Sequence, residues 1–147
     1  MYTPHIITLI NVSVNNDETL AYNATVLDKV FLDTSKASSS GKNGMTDMDT
    51  ATLFIPFSAV GKSITGQEQA YVSPKAYDAL EDKSEFWTLK DSGDISAVEC
   101  FFVKGIVNDI GSYEEMKSEH DYVYAVTRVL LRDFGSPAMR HFQVGAR

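Results

Sequence analysis

The sequence predicts a mainly β protein: a small antiparallel β-barrel or sandwich with long loops and one or two short helices. Three observations lead there. Residues 6–14, 19–33, 50–57 and 121–133 are dense in β-branched and aromatic side chains, which fit a pleated and half-buried surface. Clusters of Asn, Asp, Ser and Gly separate these segments, as turns do between strands. Only one segment carries a clear helix start, Ser73-Pro74. The 147 residues suit one domain, expected as a single barrel-like unit over 1–147, and at 44% hydrophobic the chain can bury a core.

Residues 6–14 hold Ile6, Ile7, Thr8, Ile10, Val12 and Val14 and read as a first strand. A polar turn at residues 15–18 follows. Leu20, Tyr22, Ala24 and Val26 then alternate with the period of a half-buried strand. Leu27-Asp28-Lys29 marks a bend or bulge, so residues 19–33 form two short strands or one bent one. Residues 34–49 change character. Ser35, Ser38, Ser39, Ser40, Gly41, Asn43 and Gly44 predict a long polar loop, with Met45 and Met48 its only sizeable apolar groups. Loops of this length are functional or disordered, and in an assembly protein they order against a neighbour.

Residues 50–57 predict a strand that ends at Pro56 or lies at an edge, because proline donates nothing to a ladder. Residues 58–70 predict a second long loop, punctuated by Gly61 and Gly66. Ser73 as N-cap and Pro74 at the first helical position predict a helix of about two turns ending near Asp82. The stretch 86–105 holds the only Trp, the only Cys and three of the eight Phe residues. It reads as the central hairpin of the barrel, with Gly93-Asp94 in its turn, Trp87 and Phe86 at the closed end, and Phe101 or Phe102 in the sheet interior. Ser112 with Glu115 three residues on has the form of a capping box, so residues 112–120 are one helical turn or a polar loop. Residues 121–133 favour a strand bent near Arg128, with a helix as the alternative. A turn at residues 134–137 precedes a last strand at 141–144.

The net charge of −7 argues against a protein that grips nucleic acid by its phosphates. It is compatible with one lining a passage through which DNA slides. One cysteine excludes an internal disulfide framework, and Cys100 reads as a small buried residue. Neither a secretory signal nor a membrane-spanning run is expected, which suits a soluble product of the cytoplasm.

No catalytic, cofactor-binding or metal-ligating residues are expected. Gly61-Lys62-Ser63 resembles the end of a phosphate-binding loop, but Pro56 stands where its first glycine belongs. Asp47 and Asp49 have the spacing that opens a calcium loop, but Thr52 and Ser58 occupy its glycine and closing-acid positions. His5, His120 and His141 are isolated in sequence. The triplets beginning at Asn11 and Asn23 match glycosylation acceptors by chance, being in predicted strands. Glu114, Glu115 and Glu119 read as a solvated acidic face.

The order of segments resembles a known group. It runs from Ile6-Ile7-Thr8-Leu9-Ile10-Asn11 to Val26-Leu27-Asp28-Lys29-Val30-Phe31-Leu32-Asp33, the Gly/Ser stretch and Ala51-Thr52-Leu53-Phe54-Ile55-Pro56-Phe57. Then come Tyr71-Val72-Ser73-Pro74-Lys75, Phe86-Trp87-Thr88-Leu89-Lys90-Asp91-Ser92-Gly93-Asp94, Phe101-Phe102-Val103-Lys104-Gly105 and the segment from Asp133 to Gly145. This is similar to small tailed-bacteriophage and prophage head–tail (neck) proteins, and to the minor-capsid, head–tail connector group that includes stoppers. The resemblance implies a homo-oligomeric ring, six-fold or twelve-fold, in the virion neck after assembly in the host cytoplasm. Its partners would be portal or adaptor and tail-completion proteins, with DNA passing through without specific binding. The family brings no catalytic residues, so no enzyme is expected. Alternatives are a tail-completion, tail-terminator or capsid-decoration protein, or a non-viral soluble β-barrel that binds a ligand.

Overall fold

In a computed structural model, residues 3–15, 17–41, 44–91 and 98–147 are described, the side chains of 35–41 and 44–49 excepted. The chain is mainly β, with nine strands and two short α-helices among the described residues. The strands are β1 (His5–Val14), β2 (Leu20–Gly41), β3 (Gly44–Pro56), β4 (Gly61–Lys62), β5 (Glu68–Tyr71), β6 (Phe86–Trp87), β7 (Cys100–Lys104), β8 (Val123–Arg132) and β9 (His141–Ala146). The helices are α1 (Pro74–Asp78) and α2 (Tyr113–Glu119).

Backbone pairing forms a closed circuit. β1 pairs with β2, β2 with β3, β3 with β9, β9 with β8, β8 with β7, and β7 with β1, every pair antiparallel. Two long strands make the corners. β2 lies against β1 as far as Val30 and against β3 from Phe31 onward. β8 lies against β7 up to Ala125 and against β9 from Val126. Each corner has an extra residue. The step from His5 to Ile7 on β1 faces Val30 to Leu27 on β2, so the bulge falls at Asp28-Lys29. The step from Val126 to Arg128 faces Ala146 to Gly145, which leaves Thr127 as the surplus residue. Bulges bend strands and let them change sheets. The bend expected at residues 27–29 and that near Arg128 are these two bulges.

Alternation sets the core. Leu9 faces Phe102 across β1 and β7, and Ile10 faces Phe101. Successive side chains on a strand point to opposite faces. Leu9 and Phe102 therefore enter the barrel interior with Leu27, Leu53, Val126 and Val144. Ile10 and Phe101 face outward into a second cluster, covered by Met116 of α2 and by Val107. Both phenylalanines are fully buried, on opposite sides of one sheet. Both helix starts follow the expected chemistry: the Ser73 side chain accepts from the Ala76 amide, and that of Ser112 from the Glu115 amide. α1 is shorter than expected, and residues 113–119 are a helix rather than a loop.

Three expectations are corrected. Residues 34–49 are not a loop. Apart from Lys42 and Asn43, which lie outside the described residues, they continue β2 and β3 as one hairpin in unbroken register, from Phe31 opposite Phe54 to Gly41 opposite Gly44. The barrel sets the register, and every second pair adds two backbone hydrogen bonds, so the pairing runs on through residues of weak strand propensity. Residues 58–70 are not a plain loop either, since they contain β4 and most of β5. The stretch 86–105 is not a hairpin. β6 pairs in parallel with β5, whereas β7 pairs with β1 and β8. The turn expected at Gly93-Asp94 lies outside the described residues.

Polar side chains hold the excursion through residues 61–89 to the barrel. Asn11, fully buried, donates from Nδ2 to the Thr88 carbonyl at 2.9 Å and accepts the Thr88 amide at 3.2 Å. Asn23 Nδ2 donates to the Lys83 and Phe86 carbonyls at 2.9 and 2.8 Å and to the Tyr77 hydroxyl at 3.1 Å. Gln69 accepts from Thr25 Oγ1 at 2.6 Å and donates to the Ser84 carbonyl at 2.6 Å. These bonds seat Trp87 and Leu89 in the interior cluster.

Candidate functional site

The most unusual feature is the ribbon made by the outer halves of β2 and β3. β1 leaves β2 at Val30, and β9 leaves β3 at Ala51. Beyond those points the two strands pair only with each other among the described residues. Seven paired positions, Ser35–Thr50 to Gly41–Gly44, extend past the barrel. At about 3.4 Å per residue the ribbon reaches roughly 20 Å. Asp33, Thr34 and Thr50, at its base, are exposed.

Beside the base runs a row of half-buried rings. His5, Phe31, Phe54 and His141 stack across neighbouring strands with centroids 5.6, 5.8 and 5.7 Å apart. His5 Nδ1 also accepts the Leu32 amide at 2.9 Å, which ties β1 to the root of the ribbon. Cross-strand aromatic pairs of this kind stiffen a sheet where it loses its neighbours.

At the other end of β3 lies an apolar cleft of about 790 Å³. Phe57, Val60, Tyr71, Trp87, Leu131 and Phe142 line it, with Glu68 and Glu85 at the polar positions. Leu131, Phe134 and Met139 are exposed around the same β8–β9 end. Ribbon and cleft thus sit at opposite ends of one strand.

Asp109, Glu119 and His120 form the one cluster of three metal-ligand side chains among the described residues, with ligand atoms within 4.8 Å of one another. Both acids are exposed. His120 Nε2 lies 3.5 Å from Asp109 Oδ2. The Asp109 carboxyl is held below its usual range by its own backbone amide and by Glu119, with His120 adding less. His5 and His141 lie elsewhere, along the ring row.

The remaining sequence motifs resolve simply. Gly61 is buried in β4, where a Cβ would stand 2.7 Å from both Thr25 Cγ2 and Trp87 Nε1. Its lack of a side chain serves packing, and β4 leads into β5 where a phosphate-binding loop would open a helix. The amides of Asn11 and Asn23 are committed to the bonds above, so neither presents a free acceptor for a glycan. Side-chain geometry at Asp47 and Asp49 lies outside the described residues. Cys100 is buried, and loss of solvent pushes its thiol up to about 12. A thiol so placed is inert as a nucleophile. No described helix is long and apolar enough to cross a membrane.

The ribbon was missed by sequence reasoning because its Ser, Gly, Asn and Asp content is that of a loop. One signal was present: Thr46, Met48 and Thr50 alternate with acids and small residues at period two. The chain belongs to a family of unknown function (DUF6751), whose model matches residues 2–147. No curated protein and no solved structure matches it.

Proposed function

We propose that this chain is a non-enzymatic structural protein of a tailed-bacteriophage particle, a ring-forming, stopper-type component of the head–tail connector. One observation carries the reading: a closed barrel extends a two-stranded ribbon that nothing else in the described chain covers. A free two-stranded hairpin is marginal in water and needs a partner surface. A ring whose copies project such ribbons toward a channel would supply that surface. The charge of −7 fits a lining past which DNA slides without sticking. Contacts to portal or adaptor on one side and tail completion on the other would use the two ends of β3. The test is mass spectrometry of purified particles with electron imaging, using wild-type phage and phage lacking residues 37–46. The chain should be present in the neck, and the deletion should leave filled heads without tails. Absence from particles would sink the reading, and normal head–tail joining by the deletion would remove the ribbon from assembly.

A second reading rests on the cleft. Its volume falls in the range of roughly 300–1,000 Å³ typical of small-ligand sites, and its lining is aromatic. On that reading the protein is a soluble, monomeric β-barrel that binds an apolar ligand. It predicts a monomer at all concentrations and saturable quenching of Trp87 fluorescence by an apolar probe.

A further inference from the structure

The cleft at the Pro56 end of β3 joins two kinds of surface. One is aromatic, with Phe57, Tyr71, Trp87 and Phe142 in its wall. Phe57 meets Phe142 at 4.7 Å and 56°, Phe142 meets Tyr71 at 4.7 Å and 52°, and Tyr71 meets Trp87 at 5.1 Å and 62°. Neighbouring rings are thus tilted, not stacked flat. The other surface is acidic. Glu68 and Glu85 are the charged residues of the lining, and no lysine or arginine belongs to it. Both carboxylates are exposed, and neither has an ion-pair partner among the described residues. Glu85 Oε1 accepts from the neutral Gln67 Nε2 at 3.3 Å, which leaves its charge uncancelled. Lys62 stands opposite Glu68 in the β4–β5 register but does not line the cleft. Arg132 follows Leu131 on β8, so its side chain leaves from the other face, where Nε donates to Gln143 Oε1 at 3.2 Å.

We infer that the cleft takes a small amphiphilic cation, a molecule with an apolar body and one positively charged nitrogen. The apolar body has its place against the aromatic wall. Burial there would also cover Val60 and Leu131, which are exposed at the cleft. Contiguous exposed apolar surface of this kind marks a binding site. Charge then discriminates among apolar ligands. A carboxylate or phosphate head would meet Glu68 and Glu85 as like charges. A positively charged nitrogen gains from both carboxylates and from the ring faces, whose quadrupole attracts cations. Ion pairs at an exposed mouth are weak and screened by salt, so the carboxylates set the preference while the aromatic wall supplies the affinity. The volume of about 790 Å³ suits a small molecule better than a folded partner. The inference rests on the reading of the cleft as a ligand site and names the class of ligand.

The experiment is titration of the full chain at neutral pH with three probes that share a phenyl body: phenethylammonium, phenethyl alcohol and phenylacetate. Binding is followed by isothermal calorimetry and by the fluorescence of Trp87, which lies in the cleft wall. The ammonium should bind about tenfold more tightly than the alcohol, and the carboxylate most weakly. Added salt should weaken the ammonium and leave the alcohol unchanged. The double variant Glu68→Gln with Glu85→Gln should lose most of the preference for the ammonium. Its affinity for the alcohol and its melting temperature should stay as in wild type, since both side chains are exposed. Alcohol or carboxylate that binds as tightly as the ammonium would overturn the inference, as would a preference undiminished in the double variant. Either result leaves the apolar-ligand reading standing, because the shared body still binds. Saturation by none of the three probes at millimolar concentration would remove the inference together with that reading.

Discussion

Replacing Trp87 with alanine should cost about 3 kcal/mol of stability. The indole is 2% exposed and joins the interior cluster from the excursion, not from the barrel wall. Its ring meets Tyr71 edge-on at 5.1 Å and Phe142 at 6.5 Å. Gly61 lets the β4 backbone close against it, and an alanine there would already clash. A buried tryptophan hides about 150–250 Å². At about 25 cal/mol per Å² that is worth roughly 4–6 kcal/mol. One side of Trp87 borders the cleft, so water can enter the space it leaves and no closed void forms. That moves the expected loss to the lower end of the roughly 3–5 kcal/mol seen for buried aromatic truncations. For a chain of this size the melting temperature should fall by about 6–12 °C. Far-UV circular dichroism is the suitable readout, because the variant lacks the only tryptophan. A melting temperature within about 2 °C of wild type would refute the packing argument. The indole would then be spending its surface on a partner.

Gly61→Ala should destabilise by about 1–3 kcal/mol, since its Cβ would overlap Thr25 and Trp87, and a melt would register it. Asn23→Ala strips the Lys83 and Phe86 carbonyls of a donor and should cost about 1–3 kcal/mol. Hydrogen exchange should then quicken in residues 61–89 more than in the barrel, and uniform quickening would contradict the clamp. Cys100 should resist a thiol reagent at pH 8 until the chain unfolds, and rapid native labelling would contradict its burial. Its raised thiol also has a pH consequence. Between about 9 and about 12 the unfolded chain releases the thiol proton while the folded one keeps it, so this group lowers stability as pH rises through that window. A Cys100→Ala variant should show a flatter alkaline decline. Replacing residues 36–49 with Asn-Gly, a two-residue turn joining Ser35 to Thr50, should leave the melting temperature within about 3 °C of wild type. A cooperative loss of fold would show that the ribbon supports the barrel.

The strands were legible where side chains alternate. Alternation at Leu20, Tyr22, Ala24 and Val26 identifies the first half of β2. That face is the outer one, with Leu20 exposed and Tyr22 and Ala24 against the second cluster, while Leu27 enters the interior. The polar pair Asp28-Lys29 marks the bulge. Ser73 and Ser112 announce their helices, because a cap is a local bond between residues three apart. The stretch around Trp87 was misread for the opposite reason. Its neighbours are chosen by side chains far away: Asn11 reaches Thr88 and Asn23 reaches Phe86, 77 and 63 positions along the chain. A buried asparagine in a strand looks no different in sequence from an exposed one.

The ribbon adds a different kind of illegibility, with a consequence for function. Residues 35–41 and 44–50 become strands because Phe31 pairs with Phe54 and Leu32 with Leu53, so that each further pair extends a register already set. Nothing in their own composition favours the pleated state, and in one copy no third strand repays it. A segment that serves only the fold of its own barrel would be expected to end near Thr34 and Ala51, where β9 gives out. The described residues instead continue as far as Gly41 opposite Gly44 without proline or a shift of register. The register sets Lys36 opposite Asp49 and Ser38 opposite Asp47, so the charges already complement one another within the hairpin. Beyond Thr34 and Ala51 the outer edges of both strands meet no further strand among the described residues, which is the condition a partner surface would relieve.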